Sequence, residues 1–571
     1  MTVLVARPVG QRRDPRQRHA LVGVAHTRLM MLMLLFATAV AVVVVRLAML
    51  AILAGPADAA TRAATLAGRG DIVDRHGAPL ARTIDAWTIA VHPRKLIGDP
   101  MDIASRLAAL MPDRGDQAWF YGQLTKDVSF TYLQRRASPQ LVEQVNAIGE
   151  PALVFARETQ RLYPQSTMAA HALGFLSTDG RGMSGMERVL DARLTNPATA
   201  GQPVALSIDT RVQAAMESEL GRAMTAYQAR AAAGLMLDVD TGEVISMVSL
   251  PVFNPNRVGM AGTEELRNIT TQSVYELGST FKVITAAIAL ETGVVRDLGR
   301  RFDATAPLQV GRFKIKDDHA QKRWLNVPET LVHSSNIATA RIADEIGAGR
   351  MQAMFRRLGF DTKPDVELRE KGRPLWPTYW ARTTTMTTAY GHGIAVTPLH
   401  LASAYAAMIN GGVWRPSTLL KIAPGKAPEG RRVISAETSR RMRQLMRLIV
   451  QEGTGRKGEA PGYRVGGKTG TAEVAQGGGY AKNANVSTFA AAFPMDAPRY
   501  VVIAMLDSPK RVEANQFQTT AAYTAAPVVS RVISRTGAML GVMPDDRRDV
   551  DQSDVMPLLW RAPGEHGSEA E

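Results

Sequence analysis

The 571-residue chain contains no cysteine. Disulfides and thiolate metal sites are thereby excluded, and export into an oxidising compartment raises no pairing problem. Beyond its first residues the chain also lacks any dense Lys/Arg block interleaved with aromatics, although its formal net charge is +15. Nucleic-acid binding is therefore not expected, and the excess of basic residues reads as scattered surface charge. The stretch from 85 to 200 shows no repeat, and long uncharged apolar runs are confined to one place near the N-terminus. What remains is the composition of a folded protein, 46% hydrophobic and 21% charged. Its length implies two or three folded units with appendages.

Residues 1–28 form a basic tail with Arg7, Arg12, Arg13, Arg16, Arg18 and Arg28 against a single acid, Asp14. Leu29 to Val45 carries no charge, and the apolar character resumes after Arg46 as far as Ala54. A helix over 29–54 would span about 39 Å at ~1.5 Å per residue, enough to cross a bilayer with some tilt. The positive-inside rule places the arginines in the cytoplasm and the rest of the chain outside. Ala57-Asp58-Ala59 resembles a signal-peptidase site, but the apolar segment is longer than a signal peptide needs, so an uncleaved anchor is expected.

Arg69 to Ala81 reads as a strand ending in a His76-Gly77 turn, and its carboxylates face basic neighbours, which favours salt bridges over a metal site. Residues 62–200 mix short strands and helices, with Arg161-Leu162-Tyr163-Pro164 and Gly185-Met186-Glu187-Arg188 as structural pieces. From about 201 the texture becomes a denser alternation. A strand is expected over Val204–Ile208, a helix over Thr210–Ala223, and a hairpin from Gly234–Asp238 and Glu243–Ser249. A helix opened by Thr397-Pro398 and closed at Asn410-Gly411-Gly412 follows, then strands over Asn485–Phe493 and Tyr500–Leu506. The class is α+β, with a sheet and several helices packed on it. Residues 541–571 are polar and read as a disordered tail.

Chemistry enters at Tyr275-Glu276-Leu277-Gly278-Ser279-Thr280-Phe281-Lys282. If a helix begins at Ser279, its hydroxyl and the Lys282 amine lie one turn apart on one face, a nucleophile beside a base. Lys282 sits inside an apolar run, where burial would lower its pKa far enough for that role. Ser334-Ser335-Asn336 precedes a helix-like stretch and offers a hydroxyl and an amide. In Lys468-Thr469-Gly470-Thr471 a strand would put both threonines on one face, with Gly470 leaving room for a ligand backbone. A lysine with two hydroxyls suits a carboxylate. Gly462 to Thr469 also fits the phosphate-loop pattern, but neither a preceding strand nor a following helix is in place.

S-x-x-K, S-x-N and K-T-G in this order form the signature of penicillin-binding proteins and class A β-lactamases. With the anchor and the Arg69–Ala81 segment, the chain resembles a class B penicillin-binding protein, and within that class the septal peptidoglycan transpeptidases. The resemblance runs from the anchor to about residue 540. It departs at Leu277, where many relatives carry proline. It implies a non-catalytic, dimerisation-type pedestal over 62–200. Over 201–540 it implies a transpeptidase domain, an antiparallel sheet with helices on both faces.

By the same resemblance Ser279 would be the nucleophile on a D-Ala-D-Ala stem peptide and Lys282 its base. Ser334 and Asn336 would relay the proton and orient the peptide, and Lys468, Thr469, Gly470 and Thr471 would bind the substrate carboxylate. Backbone N–H groups of Ser279 and Thr471 would form the oxyanion hole. No metal or cofactor is implied. The implied partners are peptidoglycan stem peptides, β-lactams, an FtsW-type membrane glycosyltransferase and other division proteins at the inner membrane. A hydrolytic β-lactamase is disfavoured because residues 337–409 hold no asparagine for an E-x-x-x-N motif. An elongation-type transpeptidase, a membrane-anchored β-lactam sensor and a division scaffold are the alternatives.

Overall fold

A computed structural model of the chain describes residues 15–53, 68–199, 201–476 and 479–561. They fall in two compact units, Met1–Ala67 and Gly68–Glu571. In the first unit a single helix, α1 (Pro15–Leu53), covers the expected span and continues N-terminally into the basic segment. Its Arg28–Arg46 portion is exposed throughout and long and apolar enough to cross a membrane. Ala54 and the Ala57-Asp58-Ala59 site lie outside the described residues.

The second unit begins with the pedestal. Strands β1 (Ile72–Val73), β2 (Pro79–Val91), β3 (Thr131–Ala137) and β4 (Leu153–Leu162) form its sheet, with β2 pairing antiparallel to β1, β3 and β4. Ile89 and Val91 of β2 pack with Leu107, Phe120, Leu133 and Val145 in a separate small core. The two turn-bounded pieces singled out in the sequence meet here around one carboxylate. Glu187 is fully buried and pairs with Arg69 at 2.6 Å and Arg161 at 2.7 Å, while the Tyr163 hydroxyl donates to it at 3.3 Å. Two guanidiniums and a phenol satisfy a charge that burial alone would forbid. Arg69 also bonds Asp191 at 2.6 Å, and Arg161 donates to Gly70 O at 2.8 Å, so the start of the Arg69–Ala81 segment belongs to an internal ion-pair cluster.

The expected strand over Val204–Ile208 is only two residues long, β5 (Val204–Ala205), and it pairs in parallel with β1 of the pedestal. Ser207 N–H then donates to Leu419 O. No free linker stands at residue 201; the chain stitches the pedestal to the domain that follows. That domain is a five-stranded antiparallel sheet built from β6 (Ala231–Asp238), β7 (Val244–Leu250), β10 (Gly466–Gln476), β11 (Gly479–Phe493) and β12 (Tyr500–Asp507) in the order β10-β11-β12-β6-β7. A two-stranded antiparallel hairpin, β8 (Leu308–Val310) and β9 (Phe313–Ile315), lies outside this sheet.

Both faces of the sheet are covered, so its central strands read as continuous apolar runs. Along β12, Val501, Ile503 and Met505 enter one core, and Val502, Ala504 and Leu506 enter the other, as the two-residue strand period requires. The helices α2 (Thr210–Ala226) and α9 (Ala525–Thr536) close the second core. The first is filled by α3 (Phe281–Glu291), α4 (Val327–Val332), α5 (Asn336–Ile346), α7 (Pro398–Ile409) and α8 (Ala436–Glu452). A short helix, α6 (Arg382–Thr388), packs beside α5. The Thr397 cap and Pro398 start of α7 are as expected, with a capping box closed by His400.

The reading of 541–571 as a disordered tail is corrected for residues 541–561. Asp549 pairs with Arg447 at 2.8 Å, Asp554 pairs with Arg441, Val555 is fully buried, and Trp560 N–H donates to Glu329. The acids that made the segment look solvated are counter-charges for the arginines of α8. Residues 562–571 lie outside the described residues.

Replacing Glu187 with alanine leaves the buried Arg161 guanidinium without its counter-charge and Arg69 with Asp191 alone. Glu187→Ala is expected to destabilise the second unit by about 3–5 kcal/mol, measurable as a shift in the denaturant midpoint of the purified protein.

Candidate active site

The first core delivers the serine. Gly278–Thr280 forms a single 3₁₀ turn, and α3 starts only at Phe281 with Thr280 in the cap position, so Ser279 stands two residues before the helix and does not cap it. Three contacts pin this turn. The Thr280 hydroxyl donates to Leu277 O at 2.9 Å, and the hydroxyl of fully buried Tyr405, on α7, donates to Thr280 O at 2.8 Å. Tyr275 exchanges backbone hydrogen bonds with Val396, just ahead of the α7 cap. The Thr397-Pro398-Leu399 helix therefore holds the Ser279 turn from behind.

Glycines allow neighbouring segments to close on the same turn. A methyl group at Gly470 would lie 2.4 Å from Leu277 O, and one at Gly391 would lie 2.2 Å from Gly278 O. Gly278 itself has φ of +54°, and a methyl there would meet Thr471 O at 2.8 Å. The sequence expectation that Gly470 makes room for a ligand is corrected: its bare face receives the serine turn.

Below the turn lie two buried lysines. Lys282 and Lys468 are 1% and 0% exposed, and both ammonium nitrogens reach the Ser334 hydroxyl, at 3.1 Å and 3.0 Å. Lys282 also donates to Ser334 O at 2.5 Å, and Lys468 to Thr469 O at 3.0 Å. Ser334 is held with φ of +59°, a strained conformation for a residue with a Cβ, which points its oxygen between the two amines. Burial pushes the Lys282 pKa down to about 7, partly offset by the charges of Asp317 and Asp318. Burial and the neighbouring Lys282 push Lys468 well below the usual lysine range. One side chain of the pair can thus be neutral near pH 7, which makes it a proton acceptor.

At rest the Lys282 amine bonds Ser334, not Ser279, whose hydroxyl is half-buried and makes no side-chain hydrogen bond among the described residues. Asn336, the first residue of α5, donates through Nδ2 to Lys316 O at 3.0 Å. Lys468, Thr469, Gly470 and Thr471 lie on β10, an edge strand and not a loop before a helix, so no phosphate loop forms. Thr469 donates to the Thr454 hydroxyl at 2.8 Å, and the Thr471 hydroxyl accepts from Ala521 N–H at 3.2 Å. All eight residues singled out in the sequence belong to the three segments that converge on this one place.

Three further residues went unnoticed. Thr454 carries Thr469, and Tyr405 locks the serine turn. Asp317 accepts from Ser335 Oγ at 2.7 Å and from Ile337 N–H at 2.9 Å, fixing the cap of α5. Only Asp317 left a trace in the sequence, as an acid pair within an otherwise basic stretch. No group of metal-ligating side chains occurs among the described residues.

The chain matches the penicillin-binding protein transpeptidase domain over residues 232–534 and the penicillin-binding protein dimerisation domain over residues 64–196. It is 40% identical over 489 residues to the probable peptidoglycan D,D-transpeptidase FtsI of Caulobacter vibrioides, covering 83% of this chain and 82% of that one. The chain is a class B penicillin-binding protein. The peptidoglycan D,D-transpeptidase FtsI of Escherichia coli is similar at 28% identity over 517 residues, 86% of each chain. Among solved structures, penicillin-binding protein 3 of Mycobacterium tuberculosis, complexed with aztreonam, is similar with a TM-score of 0.66 and 25% identity, covering 84% of this chain and 97% of that one. In this penicillin-binding protein the 64–196 match coincides with the pedestal, and the 232–534 match contains the whole lysine and serine cluster.

Gly470→Ala is expected to force the serine turn away from β10, because its new methyl would press on backbone. The cost is about 1–3 kcal/mol of stability, accompanied by slower labelling with a fluorescent penicillin than in the parent.

Proposed function

We propose that this protein is a serine-type peptidoglycan D,D-transpeptidase that cross-links septal cell wall. The observation that carries the reading is the Ser334 hydroxyl bridging two fully buried lysines beneath an otherwise unengaged serine. Ser279 Oγ attacks the carbonyl carbon between the two terminal D-alanines, and neutral Lys282 takes its proton. The carbonyl oxygen develops charge against the backbone N–H groups of Ser279 and Thr471. The C–N bond then breaks, and the departing D-alanine amine receives a proton through Ser334. The amine of a second stem peptide attacks the Ser279 ester, the C–Oγ bond breaks, and the proton returns to Oγ by way of Lys282. Lys468 supplies positive potential behind Thr469 and Thr471, which hold the terminal carboxylate, and Asn336 orients the donor peptide.

A β-lactam presents the same amide geometry and stays on Ser279 because its leaving group remains tethered. The septal assignment rests on similarity to the two FtsI proteins. The apolar Arg28–Arg46 helix fits a single-pass anchor in the inner membrane, with the basic end cytoplasmic, the catalytic domain periplasmic, and an FtsW-type glycosyltransferase and other division proteins as neighbours.

The test is intact mass after incubation with a fluorescent penicillin. A one-to-one adduct that lasts many minutes in the parent and is missing in Ser279→Ala is expected; turnover in seconds would refute the transpeptidase. Lys282→Ala is expected to slow acylation by about 10²–10⁴-fold. With a base of pKa about 7 that must be neutral to accept the proton, acylation rises with pH and levels off above about 7. A rate that is flat from pH 5 to 9 would remove Lys282 from that role.

A further inference from the structure

Beside the site lies a cavity of about 340 Å³ walled by the β8–β9 hairpin on one side and α6 on the other. Val310, Phe313, Lys314 and Ile315 face Thr383, Thr384, Thr387 and Tyr390 across it. Each wall runs into the catalytic cluster. The hairpin continues into Lys316 and Asp317, which bond Asn336 and Ser335. From α6 the chain passes through Tyr390 to Gly391, which abuts Gly278. Both walls of the cavity are thus continuous in the chain with segments that touch the site.

The composition of α6 is unusual for a helix. Five of its seven residues are threonine, a β-branched residue that lowers helix propensity. Two of the five have internal work: buried Thr385 and Thr388 return hydrogen bonds to Ala381 O and Thr384 O. The half-buried hydroxyls of Thr383 and Thr384 have no hydrogen-bond partner among the described residues, and Thr387 donates only to Thr384 O at 3.2 Å. The cavity thus presents a polar wall on α6, an apolar wall on the hairpin, and one cation, Lys314, which makes no ion pair among the described residues. No acid lines it. A bare ammonium entering such a space would meet a like charge and no counter-charge; a carboxylate would meet Lys314 and the hydroxyls.

Resting on the transpeptidase reading, we propose that this cavity is the subsite for the diamino-acid side chain of a stem peptide, and that it selects a side chain ending in a carboxylate beside its amine over one ending in an amine alone. The apolar hairpin wall packs the methylene chain, Lys314 pairs with the carboxylate, and the α6 hydroxyls accept from the ammonium. Donor and acceptor strands both carry this side chain, so either could occupy the cavity.

The test uses the full chain in detergent micelles and two matched sets of synthetic stem peptides, one built on 2,6-diaminoheptanedioic acid and one on lysine. One arm presents them as donors, as depsipeptides ending in D-alanyl-D-lactate, and reads kcat/KM. The other arm presents them as tripeptide acceptors against a fixed acyl-D-alanyl thioester, and reads the ratio of aminolysis to hydrolysis. A preference of about tenfold for the dicarboxylate peptide in one arm, the size of one charge-assisted hydrogen bond, is expected and identifies the strand. Lys314→Gln, on the exposed hairpin, and the isosteric pair Thr384→Val/Thr387→Val are each expected to bring that preference close to one while the penicillin adduct still forms. Equal use of both peptide sets in both arms, or a preference that survives both variants, overturns the proposal. Failure of the parent to form a penicillin adduct refutes the serine reading instead, so the two failures are distinct.

Discussion

Everything at this site depends on bringing two ammonium groups into a region with almost no water. A lysine side chain in such surroundings is costly in its charged form, and two of them sharing one hydroxyl are costlier still. The fold sustains the arrangement by spreading the anchoring over three separated segments. Lys282 is carried on a helix that is buried on nearly every side, Lys468 on a sheet strand, and Ser334 on a turn whose strained backbone is held by the caps on either side of it. None of the three could set the geometry by itself. The stability of a large, doubly covered sheet is what makes a local electrostatic strain of this kind tolerable.

The same logic runs through the pedestal in reverse. There the buried charge is an acid, and it is met by two arginines and a tyrosine. One cluster is closed by its counter-charges; the other is left short of them, which is what lowers the lysine pKa values.

Much of this was legible in the chain itself. Ser279, Lys282, Ser334, Asn336 and Lys468 could be picked out because each sits in a short motif with a recognisable local context, and the apolar run after Lys282 announced its burial. The strands β11 and β12 were visible as unbroken apolar runs. What could not be read were contacts made across the fold. Tyr405 and Thr454 lie far from the residues they hold, and nothing in their own neighbourhoods marks them. Gly470 was assigned to the wrong neighbour because a strand pattern says which face a residue takes but not what covers that face. Asp549 and Asp554 looked like part of a solvated tail because their arginine partners lie about a hundred positions earlier on α8.

The three glycines around Ser279 also govern how this protein can change over generations. At Gly278, Gly391 and Gly470 any side chain presses on backbone of the neighbouring segment, so inherited variation there displaces the Ser279 turn itself. Side chains that face the open mouth carry no such penalty. A lineage under pressure to alter the surroundings of the site is therefore steered toward the hairpin and the threonine helix, where a single replacement reshapes the cavity between them and leaves the Ser279 turn where it was.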